Sequence, residues 1–451
     1  MRRELINFLA IALPLGAISC AHRSPGDSLE TSQGVNIEAT ANTVAPTEPP
    51  VWQPPAGELN LREAVAATLL RHPALAAFEW TIRIEEARTL QAGLRPNPNF
   101  DAEVENILGS GTFTGVDQAE TTLQLSQIIE LWGKRSRRVK AAGLAQDVAR
   151  RQYEMLRQEV VTETARAFFN GLHAQEELAL RQDVLDLADS LLQSVYRRVN
   201  AGKGSPVEES KAKVTKASAE IDLDQAKRRY EASRQRLAAQ WAHTKPTFTT
   251  LSGNLMHVED VPDLDQLQAR LETNPELGRW FAEEERIRAL IELEHARGKP
   301  DVTLGGGYRR LSGPNANAAV FGMSMPLPLF NRNEGAIQEA QFSLNRAKDN
   351  QRTLLLHLET ALVQFWNGLA AAHAQVKRLE SEVLPEAQHA FELTQRFYEE
   401  ARFSYLDVLH ARQILVAARL RHIQALSDYH QALVDIESVV GEIPNPARKP
   451  K

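Results

Sequence analysis

Between Pro98 and Pro206 the chain contains no proline, and from Lys134 to about Ala201 its pattern is helical without a break. At 1.5 Å per residue this is a single helix of roughly 100 Å. A proline would end or kink such a rod, so the absence of one permits its length. The run stops at "NAGKGSP" (200–206), and a return helix is expected over 207–241. The product is a helical hairpin that presents a turn at its far end.

The chain then repeats the plan about two hundred residues on. "RHPAL" (71–75) matches "TNPEL" (273–277), "RPNPNFDAEVE" (95–105) matches "RGKPDVTLGGG" (297–307), and "FFNGL" (168–172) matches "FWNGL" (365–369). Order is kept through both halves, so the repeated unit is domain-sized and not the short unit of a solenoid. Each half reads helix, strand pair, very long helix, return helix. In the second half Leu354, Leu358, Leu362, Phe365, Leu369, Val376, Leu379 and Val383 recur at three- and four-residue steps. That is an amphipathic, coiled-coil-like stripe. The break falls near "EARFSYLD" (400–407), with a return helix over 406–440. Pro385 has no counterpart in the first half and is expected to bend only the second long helix.

The strand pairs carry the functional signal. In "NFDAEVEN" (99–106), Phe100, Ala102 and Val104 alternate with Asp101, Glu103 and Glu105. In "AETTLQLS" (119–126), Thr121, Leu123 and Leu125 alternate with Glu120, Thr122 and Gln124. Val302, Leu304 and Tyr308 share one face in the third segment, and Phe321, Met323 and Met325 in the fourth. One apolar face fits a half-buried strand. Packing on a soluble core would also suit it, but no other β-rich segment is visible to cover the edges of four strands. In lipid a sheet must close into a barrel, and single-chain bacterial barrels begin at about eight strands. Four strands per chain therefore point to a barrel shared between subunits.

The N-terminus reads as an export signal. Arg2 and Arg3 precede a short apolar stretch, Leu5 to Leu15, and "AISC" ends at the chain's one cysteine, Cys20. An ordinary signal peptide (1–19) explains this layout. "AISC" also resembles a bacterial lipobox, which would make Cys20 the first mature residue and its lipid carrier. An exported chain with one cysteine forms no internal disulfide, which favours an attachment role. Residues 20–57, rich in Pro, Ser, Thr and Gly, read as a lipidated terminus and tether. A net charge of −6 argues against a nucleic-acid partner.

No catalytic motif is present, and no cofactor or resident metal is expected. The twelve histidines are scattered singly, His72, His173, His295 and His430 in helical stretches without a second ligand three or four residues on. "GSGTFTG" (109–115) is not followed by a helix in a βαβ unit, so it reads as a loop between strands, not a phosphate cradle.

Over residues 58–441 the chain resembles the TolC-like outer membrane efflux channels. "LRPNPNFDAEVEN", "QLSQIIELWGKRSRRVKAA" and "MPLPLFNRNEGAIQEAQ" are similar to the CzcC-like, cobalt–zinc–cadmium branch. The resemblance implies a mainly α fold with a membrane β portion: a homotrimer whose twelve strands form a barrel in the outer membrane and whose twelve helices form a periplasmic tunnel. It implies two repeats: 58–241, with strand pair 98–128 and long helix 134–201; and 262–441, with strand pair 300–326 and long helix 333–402. An equatorial linker (242–261) lies between them and a tail (442–451) follows. It further implies a periplasmic adaptor and an inner-membrane proton-driven RND pump as partners, with divalent metal cations as cargo. Drug export on the same architecture, and a coiled-coil adaptor or structural lipoprotein without a channel, are the competing readings. Asp101, Glu103, Glu105, Glu120 and Asp301 are the candidate barrel-lumen residues. Asp407, Glu208 and Glu209, beside the hairpin turns, are the candidate periplasmic gate residues. Each of these three acids also suits the first turn of a return helix.

Cys20→Ser is expected to yield a chain that is exported but carries no lipid. Mass spectrometry of the mature N-terminus checks this: a terminus at any residue other than Cys20 in the unaltered chain defeats the lipid-anchor reading.

Overall fold

The computed structural model describes residues 52–400 and 402–441. Cys20, the signal segment, most of the tether and the tail lie outside the described residues. The chain opens with a short strand, β1 (Gly57–Asn60), followed by α1 (Leu61–Arg71) and α2 (Pro73–Gly93). Asn60 starts α1 with a capping box, accepting from the Glu63 N–H while Glu63 accepts from its own. The sequence reading places His72 within a helical stretch. It instead separates the two helices, and its Nδ1 accepts from the Ala74 N–H at 3.3 Å. Pro73 imposes the break, because a residue before proline is driven out of the helical region.

Then come β2 (Asn99–Glu105), β3 (Glu120–Ile129), α3 (Lys134–Asn200) and α4 (Pro206–Ala239). The helix α3 is 67 residues long and unbroken. After β4 (Phe248–Ser252) and α5 (Leu264–Arg270) the second repeat gives α6 (Pro275–Arg297), β5 (Val302–Leu311), β6 (Ala316–Ser324) and α7 (Glu334–Arg378). A wide π turn, Leu379–Val383, leads into α8 (Leu384–Glu399), and α9 (Tyr405–Val440) returns. The π turn sits where Pro385 lacks the N–H that would bond the Ser381 carbonyl, and widening relieves the clash of its ring with that turn. Among the described residues no helix is long and apolar enough to cross a membrane.

The strands β2, β3, β5 and β6 form an antiparallel sheet in that order. The helices that continue from them, α2, α3, α6 and α7, neighbour one another in the same order. One repeat thus meets the other at β3–β5 and at α3–α6. Farther along, α3 packs on α4 and α9, and α9 on α7 and α8. The core includes a cluster of Leu362, Leu369, Tyr429 and Ile436 midway, and one of Val195, Ala212, Phe391, Tyr398, Tyr405 and Val408 near the hairpin ends.

A second sheet corrects the sequence reading, which assigns Gly57 to the tether, leaves 242–261 as linker and finds no β segment outside the four strands. β1 pairs in parallel with β4, almost two hundred residues away. Gln175 of α3 clamps β4, its amide donating to the Leu251 carbonyl and accepting from the Leu251 N–H. The "FFNGL" motif makes room for this: a Cβ on Gly171 would lie 2.5 Å from Leu251 Cδ1. Its copy "FWNGL" serves the linker differently, with Trp366 Nε1 donating to the Pro262 carbonyl at 2.8 Å.

The strand-to-helix junctions are held by side chains. Trp132 and Gly133 are both left-handed (φ 60° and 66°), which turns the chain sharply from β3 into α3. Trp132 Nε1 donates to the Pro300 carbonyl at 3.1 Å. Lys134, nearly buried, donates to the Lys299 carbonyl and pairs with Asp301 at 2.8 Å. Arg138 holds Glu130 at 2.6 Å and the carbonyls of Ala92 and Leu94. In the second repeat Asn333 donates to Glu294, and a Cβ on Gly298 would lie 2.4 Å from the Arg332 carbonyl oxygen. Backbone cannot yield as a side-chain tip can. Gly298→Ala is therefore expected to cost about 1–3 kcal/mol, read as a lower denaturant midpoint. Gly368→Ala, with open space around it, is the control and should not lower it.

Candidate functional site

The register of the four-stranded sheet sorts its side chains into two sets. Asp101 lies opposite Gln124, Glu103 opposite Thr122 and Glu105 opposite Glu120, while Thr122 lies opposite Arg309 and Gln124 opposite Gly307. Because side chains alternate along each strand, these residues share one face. The other face carries Phe100, Ala102, Val104, Leu123, Leu125, Leu304, Tyr308, Phe321 and Met323, in register across all four strands. The large side chains of this set are exposed in the single chain, Phe321 at 86%. The outer edges of β2 and β6 have no strand partner among the described residues.

The polar face contains a cation that sequence reasoning missed. Arg309 Nε donates to Thr122 Oγ1 at 2.9 Å, and its Nη atoms lie 3.3 Å from Glu120 and 3.7 Å from Glu105. The signal was the alternation itself, since Arg309 follows Gly305 and Gly307 at two-residue steps. Those glycines leave room for Gln124 to lie across β5: a Cβ at Gly305 would stand 2.3 Å from its Nε2. Asp301 lies at the junction end of the sheet. It precedes β5, and its carboxylate is taken by Lys134 and by the Leu131 N–H at 3.0 Å. It pins the junction between the two repeats.

The second region is the pair of hairpin ends. Ser205 caps α4, accepting from the Val207 N–H, with Glu208 and Glu209 in the first turn. Glu209 pairs with Lys213 at 2.6 Å. Ser404 and Asp407 form a capping box on α9: Ser404 accepts from the Asp407 N–H, and the Asp407 carboxylate accepts from the Ser404 N–H at 2.9 Å and hydroxyl at 2.7 Å. These bonds hold the Asp407 carboxyl below the usual carboxylate range. Arg198 ties the two ends together. It donates to the Tyr398 carbonyl at 2.6 Å and stacks over the Tyr398 ring at 4.4 Å. Burial, and then the charge of Glu208, raise the pKa of the Tyr398 hydroxyl and keep it protonated.

One histidine of the equatorial region has a structural role. His430 is buried, stacks on Phe169 at 4.7 Å and bonds the Leu255 carbonyl at 2.9 Å. Burial lowers its pKa. Among the described residues no three His, Cys, Asp or Glu side chains converge as metal ligands do.

The sequence profile of the family described as "Outer membrane efflux protein" matches residues 64–243 and 267–442. The cobalt-zinc-cadmium resistance protein CzcC of Cupriavidus metallidurans is 33% identical over 429 residues, 95% of this chain and 99% of its own. Among solved structures, CusC matches with a TM-score of 0.71 at 15% identity, covering 87% of this chain and 99% of its own. The open state of the Neisseria gonorrhoeae MtrE outer membrane channel matches at 0.68 and 18% identity, covering 85% and 89%. At these identities the structural likeness is one of fold.

The capping box has a signed pH dependence. A carboxyl depressed in the folded state adds stability above its unfolded value, about 3.9, and loses it as pH falls through the folded value. Asp407→Asn should therefore speed amide exchange over Tyr405–Val408 at neutral pH, and the gap to the unaltered chain should close below about pH 3.9. A gap that persists at low pH contradicts the assignment.

Proposed function

The chain belongs to the outer membrane efflux protein family, and from that premise we propose how it conducts. Three copies close one barrel, the free edge of β6 in each pairing with the free edge of β2 in the next. The observation that carries this is the two-faced sheet with both edges open. Its apolar face has nothing to cover it within the chain, and lipid accepts a sheet only when every backbone group is paired. Phe100, Val104, Leu123, Leu125, Phe321 and Met323 then face lipid, and Asp101, Glu103, Glu105 and Glu120 line the lumen beside Arg309. Because helices follow strands in the same order, the ring of helices closes with the ring of strands and continues the conduit into the periplasm.

The channel is passive. An inner-membrane RND pump supplies the energy, a periplasmic adaptor meets the hairpin ends, and a lipid on Cys20 adds an anchor in the same membrane. The cargo is a divalent heavy-metal cation, a reading supported by end-to-end similarity to CzcC. At the periplasmic mouth three copies of Asp407 stand around the opening, with Glu208 and Glu209 behind them. A ring of carboxylates attracts cations, so Asp407 serves the conduit as well as its cap.

Deletion should sensitise the host to some of zinc, cobalt, cadmium, nickel and copper and leave its tolerance of organic drugs unchanged; the reverse pattern overturns the cargo. The register is tested separately. Leu123→Arg should cost roughly 2–4 kcal/mol if it lies near the midplane, and Glu103→Arg far less, measured by trimer stability in lipid. The opposite order would place the faces the other way round.

A further inference from the structure

The level at which strands become helices carries a concentration of unpaired positive charge. Arg95, Arg135, Arg137, Lys299 and Arg332 cluster in sequence around the four junctions, and among the described residues none has a carboxylate at ion-pair distance. Four of the five are held in place all the same. Arg135 donates to the Gly93 carbonyl at 2.6 Å, Arg137 to the Glu292 carbonyl at 3.2 Å and Arg332 to the Pro328 carbonyl at 3.4 Å, while Lys299 sits 4.6 Å above the Trp132 ring. A guanidinium has five N–H donors, so one bond to a carbonyl fixes it and leaves both its charge and most of its donors unused. The acids at this level are already taken. Glu130 pairs with Arg138, Asp301 with Lys134, Glu292 with Lys140 and Glu294 with Arg297. Glu334 is the exception, and it stands in the first turn of α7, where the helix end favours it.

The opposite end of the sheet differs. The hairpin loops 106–119 and 312–315 contain no Lys or Arg. The nearest cations are strand residues, Arg309 on Glu120 and Arg310 on Asn317. The junction end also exposes large apolar groups beside its cations: Trp132, Leu94, Leu327, Leu329 and Phe330, the last fully exposed. A ten-residue strand such as β3, tilted as barrel strands are, rises roughly 25 Å, the height of an apolar barrel band. The junctions therefore lie one hydrocarbon thickness from the hairpin loops, at the depth of lipid headgroups.

We propose that this collar binds the phosphate headgroups of anionic phospholipids in the leaflet on the helical side of the barrel. Trp132, Leu327, Leu329 and Phe330 enter the acyl boundary, and Arg135, Lys299 and Arg332 take the phosphates. The proposal rests on the reading of the sheet as a membrane barrel. It adds which lipid the barrel holds and at which end.

The test uses the full-length trimer, stripped of lipid and placed in bilayers of phosphatidylcholine alone or with phosphatidylglycerol. Phosphatidylglycerol should raise the temperature at which the trimer dissociates, and the increment should shrink in about 1 M salt, where charges more than roughly 3 Å apart are screened. Lipid retention by native mass spectrometry should weaken by about fivefold for each of Arg135→Gln, Lys299→Gln and Arg332→Gln. If one of these variants does not assemble, the other two still give a reading. An equal dissociation temperature in both bilayers, unchanged retention in the variants, or the same increment from inorganic phosphate would each overturn the proposal. Failure of the barrel reading looks different: the unaltered chain would then form no heat-resistant trimer in either bilayer.

Discussion

The bond between the two repeats at Lys134 and Asp301 governs most of what lies on either side of it. Lys134 opens the first long helix and Asp301 precedes the third strand of the sheet, so their ion pair, with the Trp132 bond to Pro300, joins β3 to β5 and α3 to α6 at once. A lysine with a tenth of its side chain exposed would be costly to bury alone; a carboxylate at 2.8 Å and a carbonyl at 2.6 Å compensate it. With this joint in place the strand order and the helix order cannot differ. A ring of strands and a ring of helices become two cross-sections of one wall.

What the sequence discloses follows the range of the interactions involved. The length of α3, 67 residues over Lys134–Asn200, is a local property, written in the missing prolines and an unbroken helical period. The two faces of the sheet are likewise written strand by strand. The pairing of β1 with β4 is not. The strands have four and five residues, too few to show alternation, and the partner is on the other side of a helical hairpin. Asp301 reads as one more acid on a strand until Lys134 is seen beside it, and Arg309 stays unremarked until the register sets it between Glu105 and Glu120. The break at His72 could have been read from Pro73. For Asp407, "SYLD" suits both a helix end and a ring of charge, and the geometry at Ser404 reveals the first.

The repeats have diverged where each meets something different. Gly171 lies under Leu251 and could carry no side chain without moving it, whereas Gly368 faces open space. One copy of the motif carries the small sheet and the other, through Trp366, carries the linker that leads into the second repeat. Duplication supplied the rods, and the equatorial contacts made them unequal.

The π turn at Leu379–Val383 has a consequence for winding. Buried side chains along α7 keep a seven-residue step, Leu362, Leu369, Val376, and along α8 the partly buried Leu384 and the buried Phe391 and Tyr398 keep the same step. Between Val376 and Leu384 the step is eight. A strict seven-residue repeat drifts about 20° per heptad against a straight helix and imposes left-handed supercoiling. A π turn closes i→i+5 bonds, one residue more than an α turn, and so takes up the added residue where it occurs instead of spreading it along the rod. The seven-residue stripe thus resumes on α8 in phase with that of α7, and one inserted residue leaves the apolar side of the second rod continuous across the break.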